Sequence, residues 1–180
     1  VLETSRLWRK VVQQMAPKYA DVAVDYLFVD NAAMQIILNP GQFDVVLTEN
    51  LFGDIISDEA SVLAGSLGLL PSASVGSKVA LFEPIHGSYP QAKGLDIANP
   101  LGSILSAAML LDHFGLNKEA EVVRDAVSWC LNNGFVTKDI DAANSYTTTA
   151  IGDIISEYVE RHATGKAQVH HERLHKSTII

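Results

Sequence analysis

The stretch "FDVVLTENLFGDIISDEAS" (43–61) decides how the chain is read. Its first six residues, 43–48, are a short apolar run rich in Val and Leu, the pattern of a buried strand. The rest carries helical periodicity and predicts a helix over roughly 52–66. A strand followed at once by a helix is the repeating unit of an α/β fold. Within that helix Asp54 and Asp58 stand four residues apart, with Glu59 next to Asp58. A repeat of 3.6 residues places both carboxylates on one face, where like charges repel.

Charge around this stretch is one-sided. No Lys, Arg or His occurs from Tyr19 to Ser77, which holds Asp21, Asp25, Asp30, Asp44, Glu49, Asp54, Asp58 and Glu59. A structural acidic face is normally laced with Lys or Arg at helical spacing, and none is available locally. The compensating cation has to come from elsewhere in the fold, from another chain, or from a metal. For Asp54 alone, a first-turn acid complementing the helix dipole is the plain alternative. Asp58 lies a turn further in, where the dipole helps little. Mg²⁺ or Mn²⁺ takes hard oxygen donors, and two carboxylates at i and i+4 can share one such ion. Asp30, at the end of the "FVDN" run, is the third candidate ligand.

The bulk composition narrows the class. The 180 residues are 48% hydrophobic, which favours a packed globular protein over disorder. The net charge of −8 argues against nucleic acid as a partner. No apolar run reaches the ~18 residues of a membrane span. The first ten residues, "VLETSRLWRK", lack a signal-peptide layout, and Cys130 is the only cysteine. A cytoplasmic protein without disulfides is the expectation.

Helix and strand patterns alternate along the chain. Thr4 or Ser5 is expected to cap a first helix with an apolar stripe at Leu7, Val11 and Met15, ending near Pro17. "VAVDYLFV" (22–29) reads as a strand and "DNAAMQIIL" (30–38) as a helix stopped by "NPG" (39–41). "LGLLPSASVGS" (67–77) reads as a small-residue loop, "VALFEP" (79–84) as a strand, and 85–98 as a long connection. Asn99 and Pro100 form a cap and first-turn pair for a helix to about Phe114, with Gly115 as its stop. Further helices are expected over about 117–132, closed by Gly134, and from near Thr147 to about His162. Residues 164–180, with His170, His171 and His175, are expected to fray. The alternation points to an α/β fold.

"EPIHGSYPQAKGLDIANP" (83–100) is the second chemical constellation. A G-x-G-x-x-G is absent, and so is a Rossmann fingerprint. Gly87 and Ser88 nevertheless offer backbone N–H groups and a hydroxyl beside His86, ahead of the Asn99 helix, and such groups can bind phosphate. A satisfied structural histidine is the plain reading of His86. Close helix packing explains the small residues Gly102, Ser103, Ala107 and Ala108 as well as a ligand does. Cys130 reads as a buried, inert thiol.

Together these segments resemble the β-hydroxyacid oxidative decarboxylases, the isocitrate/isopropylmalate dehydrogenase family. The resemblance is carried by "VLETSRLWRKVV" (1–12), "VDNAAMQ" (29–35), residues 43–61, "GSLGLLPSASVG" (65–76), "EPIHGS" (83–88) and "ANPLGSILSAAMLL" (98–111), in the family's order. "VLETSRLW" and "TENLFGDIISDEAS" are more similar to the isopropylmalate branch than to the isocitrate or tartrate branches.

The resemblance implies NAD-dependent oxidation of 3-isopropylmalate and loss of its β-carboxylate, giving 2-oxoisocaproate in leucine biosynthesis. It implies that Asp30, Asp54 and Asp58 hold Mg²⁺ or Mn²⁺ and meet substrate, with Asp30 in the catalytic role and reaching across a homodimer. His86, Gly87, Ser88, Gln91 and Asn99 match the cofactor segment, and Val1 matches a position lining the pocket for the isopropyl group. Gln91 stands where the family has an acid that binds the ribose hydroxyls, and NAD remains the expected cofactor. Asp96, where the family more often has Gly or Asn, is expected to be a solvated loop acid, with the ribose contact as its alternative role. The match covers the C-terminal half of a family member. A catalytic lysine is implied just upstream of Val1, with a tyrosine and substrate-clamping arginines earlier still, so residues 1–180 alone are expected to be inactive. The implied domains are part of a smaller metal, substrate and dimerisation domain (1–64), the C-terminal part of a cofactor domain (65–163), and a tail (164–180). The alternatives are a sister enzyme acting on isocitrate, homoisocitrate or tartrate, and a non-catalytic truncated or regulatory chain.

Overall fold

A computed structural model describes residues 2–163. The chain packs as two units, one up to Phe52 and one from Gly53 onward.

In the first unit, α1 (Glu3–Met15) runs into a 3₁₀ turn at Ala16–Lys18, where Pro17 ends the helix. Thr4 and Ser5 do not cap it. Leu2 holds the cap position, no side chain caps the end, and both residues lie inside the first turn. The α2 helix (Val29–Leu38) stops at Asn39 before the Pro40–Gln42 turn, as the "NPG" signal indicates. Residues 22–28 between these helices form no strand, contrary to the β-rich pattern, and neither do residues 43–48. A strand exists only as part of a ladder, and no segment pairs with either run among the described residues. Arg9 fastens the first run instead. Its Nη2 donates to the Leu27 carbonyl at 3.2 Å, and its guanidinium lies 5.4 Å from the Tyr26 ring and 5.3 Å from the Phe28 ring. The apolar stripe of α1 stays largely open, with Leu7, Val11 and Met15 all exposed.

The α3 helix (Asn50–Ser61) continues into a 3₁₀ turn at Val62–Ala64, and Gly65, at φ +92, ends it. It therefore starts earlier and stops sooner than 52–66. The reason lies at Glu49, whose carboxylate accepts from the Leu51 and Phe52 N–H groups at 3.0 and 2.8 Å. That satisfies two donors that the helix cannot use itself.

In the second unit, residues expected as loop form β1 (Pro71–Val75), which pairs antiparallel with β2 (Ala80–Pro84). The register runs from Pro71 opposite Pro84 to Val75 opposite Ala80, so the prolines lie at the open ends where a missing N–H matters least. Small residues disguised β1, since "PSASV" lacks the bulk that marks a strand. The hairpin and the preceding Leu67–Leu69 turn pack on α4 (Leu101–His113). The α5 helix (Asn117–Asn132) contacts both α4 and α6 (Thr148–Ala163). Gly115 and Gly134 end α4 and α5 at φ +75 and +73, as their positions predict. The core lies among these helices, in Leu101, Ala126, Val127, Cys130, Ile151, Ile154 and Ile155. The small residues of α4 serve close packing: a Cβ on Gly102 would lie 3.0 Å from the Gly68 carbonyl oxygen and 3.2 Å from that of Leu70. Val1 and the tail 164–180 lie outside the described residues.

Candidate functional site

Asp54 and Asp58 are both exposed on α3, one turn apart. Because α3 begins at Asn50, Asp54 lies beyond the first turn, and Glu49 takes the role at the helix end that the plain reading gave to Asp54. Among the described residues, no three His, Cys, Asp or Glu side chains gather closely enough to hold a metal ion. Two carboxylates on one helical face are nevertheless the hard-oxygen pair that Mg²⁺ or Mn²⁺ accepts, with remaining positions open to substrate, water or another chain. Asp30 belongs to the first unit, in the opening turn of α2, exposed, with the Asn31 N–H at 2.7 Å from Oδ1.

The loop from Ile85 to Pro100 connects β2 to α4. His86 Nδ1 lies 3.1 Å from the Gly87 carbonyl, so Nδ1 carries the proton, and a neutral ring then leaves Nε2 as an acceptor. Nε2 is buried and has no partner among the described residues. A buried acceptor without a donor is costly, and a ligand hydroxyl or amine would satisfy it. This singles His86 out from an ordinary structural histidine. Gly87, Ser88 and Gln91 are exposed, and the space beside Gly87 is open. The helix begins at Leu101 with Pro100 in the cap position, one residue later than expected, yet Asn99 Oδ1 still accepts the Leu101 N–H at 3.0 Å. Its Nδ2 donates to Asp139 at 3.0 Å, which leaves one N–H and one lone pair for a ligand.

Asp96 is exposed, as its loop position suggests, and it also holds the start of α6. Its Oδ1 accepts from the Thr149 N–H at 3.0 Å and from Thr149 Oγ1 at 2.9 Å, and its carbonyl accepts the Thr148 N–H at 3.0 Å. Thr147 Oγ1 accepts the Ala150 N–H at 3.1 Å and its carbonyl the Ile151 N–H at 3.0 Å. The Thr148, Thr149 and Ala150 N–H groups, which have no partner within the helix itself, are thus satisfied, and the Ile151 N–H makes the first regular helical bond. The open depression of 440 Å³ beside Asp96, lined also by Gly94, Thr148 and Thr149, receives no free N–H from Thr148, Thr149 or Ala150. Bonds from Thr149 hold the Asp96 carboxyl below the ordinary carboxylate range.

Asp139 was invisible to motif reasoning. Burial pushes its pKa up, but hydrogen bonds from Ser66, Thr137 and Asn99 outweigh that and bring it below the ordinary value. The only local signal is a Thr two residues earlier, in "VTKD" (136–139), too short to stand out.

The sequence profile of the isocitrate/isopropylmalate dehydrogenase family matches residues 1–155. A 3-isopropylmalate dehydrogenase from Bacteroides fragilis is 52% identical over 163 residues, 89% of this chain and 46% of its own length. One from Shouchella clausii is 56% identical over 161 residues, 87% of this chain and 44% of its own. Among solved structures, isocitrate dehydrogenase from Methylococcus capsulatus superposes with a TM-score of 0.84 at 39% identity, covering 87% of this chain and 47% of that one. A β-decarboxylating dehydrogenase from Thermococcus kodakarensis gives 0.79 at 39% identity, over 91% and 48%. The chain spans about half the length of the relatives it matches. On the profile match, the identity and the shared fold, the chain belongs to the isocitrate/isopropylmalate dehydrogenase family.

Proposed function

We propose that the full-length protein is an NAD- and divalent-metal-dependent 3-isopropylmalate dehydrogenase of the cytoplasm. It oxidises the C2 hydroxyl of 3-isopropylmalate and releases the β-carboxylate as CO₂, giving 2-oxoisocaproate for leucine biosynthesis. The observation that carries this reading is the 52–56% identity to relatives of that name across most of the chain, against 39% to the isocitrate dehydrogenase. When bound, NAD⁺ accepts the hydride and the divalent ion polarises the C2 oxygen.

Asp54 and Asp58 supply hard oxygen donors from one helical face, and Asp30 of a second copy of the chain adds another and meets the substrate. His86 Nε2 accepts from an amine or hydroxyl of the cofactor. The Gly87 N–H and Ser88 hydroxyl would hold its phosphates, Gln91 would hydrogen-bond its ribose, and Asn99 would offer its remaining N–H and lone pair. Val1 lines the isopropyl pocket. Residues 1–64 belong to the metal and dimerisation domain and 65–163 to the cofactor domain. A homodimer is supported by Leu51, Ile55 and Val62, which are 62, 56 and 72% exposed at helical spacing and form apolar surface suited to a protein partner.

A sister activity on isocitrate is favoured by one observation, the TM-score of 0.84 to an enzyme of that name. Assays of the full-length protein with NAD⁺, Mn²⁺ and each of 3-isopropylmalate, isocitrate, homoisocitrate and tartrate decide between them. The highest kcat/KM is expected with 3-isopropylmalate; preference for another acid moves the protein to that branch, and no turnover with any leaves a non-catalytic chain. Asp54→Asn should abolish Mn²⁺-dependent turnover while shifting stability by less than about 0.5 kcal/mol, because the side chain is exposed.

A further inference from the structure

Three segments distant in sequence meet on one carboxylate. Thr137 Oγ1 donates to Asp139 Oδ1 at 2.5 Å, Asn99 Nδ2 donates to Oδ2 at 3.0 Å, and Ser66 Oγ donates to the same Oδ2. Thr137 is 1% exposed and anchors the cluster to the core side. Ser66 also accepts the Gly68 N–H at 3.1 Å and so opens the turn that packs on α4. That turn lies flush against Asn99: a Cβ on Gly68 would come within 2.7 Å of the Asn99 Cβ. The Asn99 amide is oriented from both ends, since Oδ1 must accept from Leu101 and Nδ2 must then face an acceptor. A carboxylate accepts on both oxygens and binds all three partners with its full charge; an amide has one acceptor oxygen and no charge, so it cannot accept from Thr137 on one side and from Asn99 and Ser66 on the other.

We propose that Asp139 is a positioning residue. It sets the orientation of the Asn99 side chain and the seating of the Ser66–Leu69 turn on the start of α4, and through them the cofactor-binding end of the 85–98 loop. The link to the cofactor rests on the reading of Asn99 as a cofactor-binding residue; the link to Asn99 itself does not. Its depressed pKa keeps the acceptor charged at neutral pH.

The test uses the full-length protein and two readouts. Hydrogen exchange at the Leu101 N–H, bonded to Asn99 Oδ1, is expected to speed up about five- to tenfold in Asp139→Asn, while exchange at Cys130 and Ile151 in the helical core stays unchanged. The dissociation constant and KM for NAD⁺ should rise by a similar factor, with kcat little altered. Asn99→Asp alone sets two carboxylates together, and combining it with Asp139→Asn restores a donor–acceptor pair and should recover Leu101 protection. Unchanged Leu101 exchange in Asp139→Asn, or a double variant no better protected than Asn99→Asp, overturns the proposal. Faster exchange with unchanged NAD⁺ affinity overturns its cofactor half. If the unsubstituted protein does not bind NAD⁺, the functional reading falls, and the exchange arm still decides what Asp139 does. Should Asp139→Asn fail to fold, the paired variant carries the measurement.

Discussion

Asp96 shows how an exposed residue can carry a role that its neighbours do not reveal. In sequence it is an acid in a polar loop, and solvation is the ordinary fate of such a side chain. In the folded chain it has φ +54, a left-handed conformation that non-glycine residues adopt at a cost, and its carboxylate closes the start of a helix 52 residues further on. The cap offsets the backbone strain. Asp96→Ala should therefore lower the melting temperature more than Asp96→Gly, which loses the cap but accepts the backbone, and Asp96→Asn should lie nearest the parent; thermal unfolding gives the order. Asp96 and Asp139 also make the acid limb of stability predictable. Both have folded-state pKa values below those of the unfolded chain, so the unfolded state takes up protons first as pH falls. Their contribution is complete above about pH 4 and is lost as pH drops through the depressed values. Melting temperatures followed from pH 6 to pH 2.5 should fall less steeply for Asp139→Asn than for the parent. Hydrogen bonds made across the fold decide both roles, and no local pattern encodes them.

At the scale of elements, helices were legible and strands largely were not. The stop signals at Pro17, "NPG" (39–41), Gly115 and Gly134 act within a few residues of where they occur, and each ends a helix as read. The runs 22–29 and 43–48 carry strand composition, yet pairing is a relation between segments, and no partner lies against them among the described residues. Conversely, "PSASV" becomes a strand because β2 pairs with it, not because of its own side chains. The α3 boundary turned on Glu49, whose long side chain caps the helix although Ser, Thr, Asp and Asn are the usual choices. Glu49→Ala should destabilise the protein by about 1 kcal/mol, with Glu49→Gln intermediate because it keeps one acceptor oxygen, both read from urea unfolding. The candidate acids were legible for the same local reason: i and i+4 spacing places Asp54 and Asp58 on one face wherever the helix happens to start.

Over the whole molecule, the core of the second unit is built by α4, α5 and α6, and Cys130 lies within it, fully buried, with Sγ donating to the Phe135 carbonyl at 3.2 Å. Burial pushes its thiol up to about 12. At pH 8 a thiol reagent should leave Cys130 unmodified in the native protein and label it fully in denaturant, which mass spectrometry reports; fast native labelling would contradict this core. The sequence by itself determined the helix stops, the acidic pair on α3 and the Asn99 bond at the start of α4, because each depends on residues within a turn or two of one another, and the family resemblance, because its motifs keep their order along the chain. Only the tertiary structure decided that Asp96 closes α6, that His86 Nε2 has no donor among the described residues, that small residues make β1, and that Asp139 gathers Ser66, Asn99 and Thr137. Those outcomes depend on which distant groups meet in space, and hydrogen-bond partners chosen across the fold leave no periodic trace in the chain.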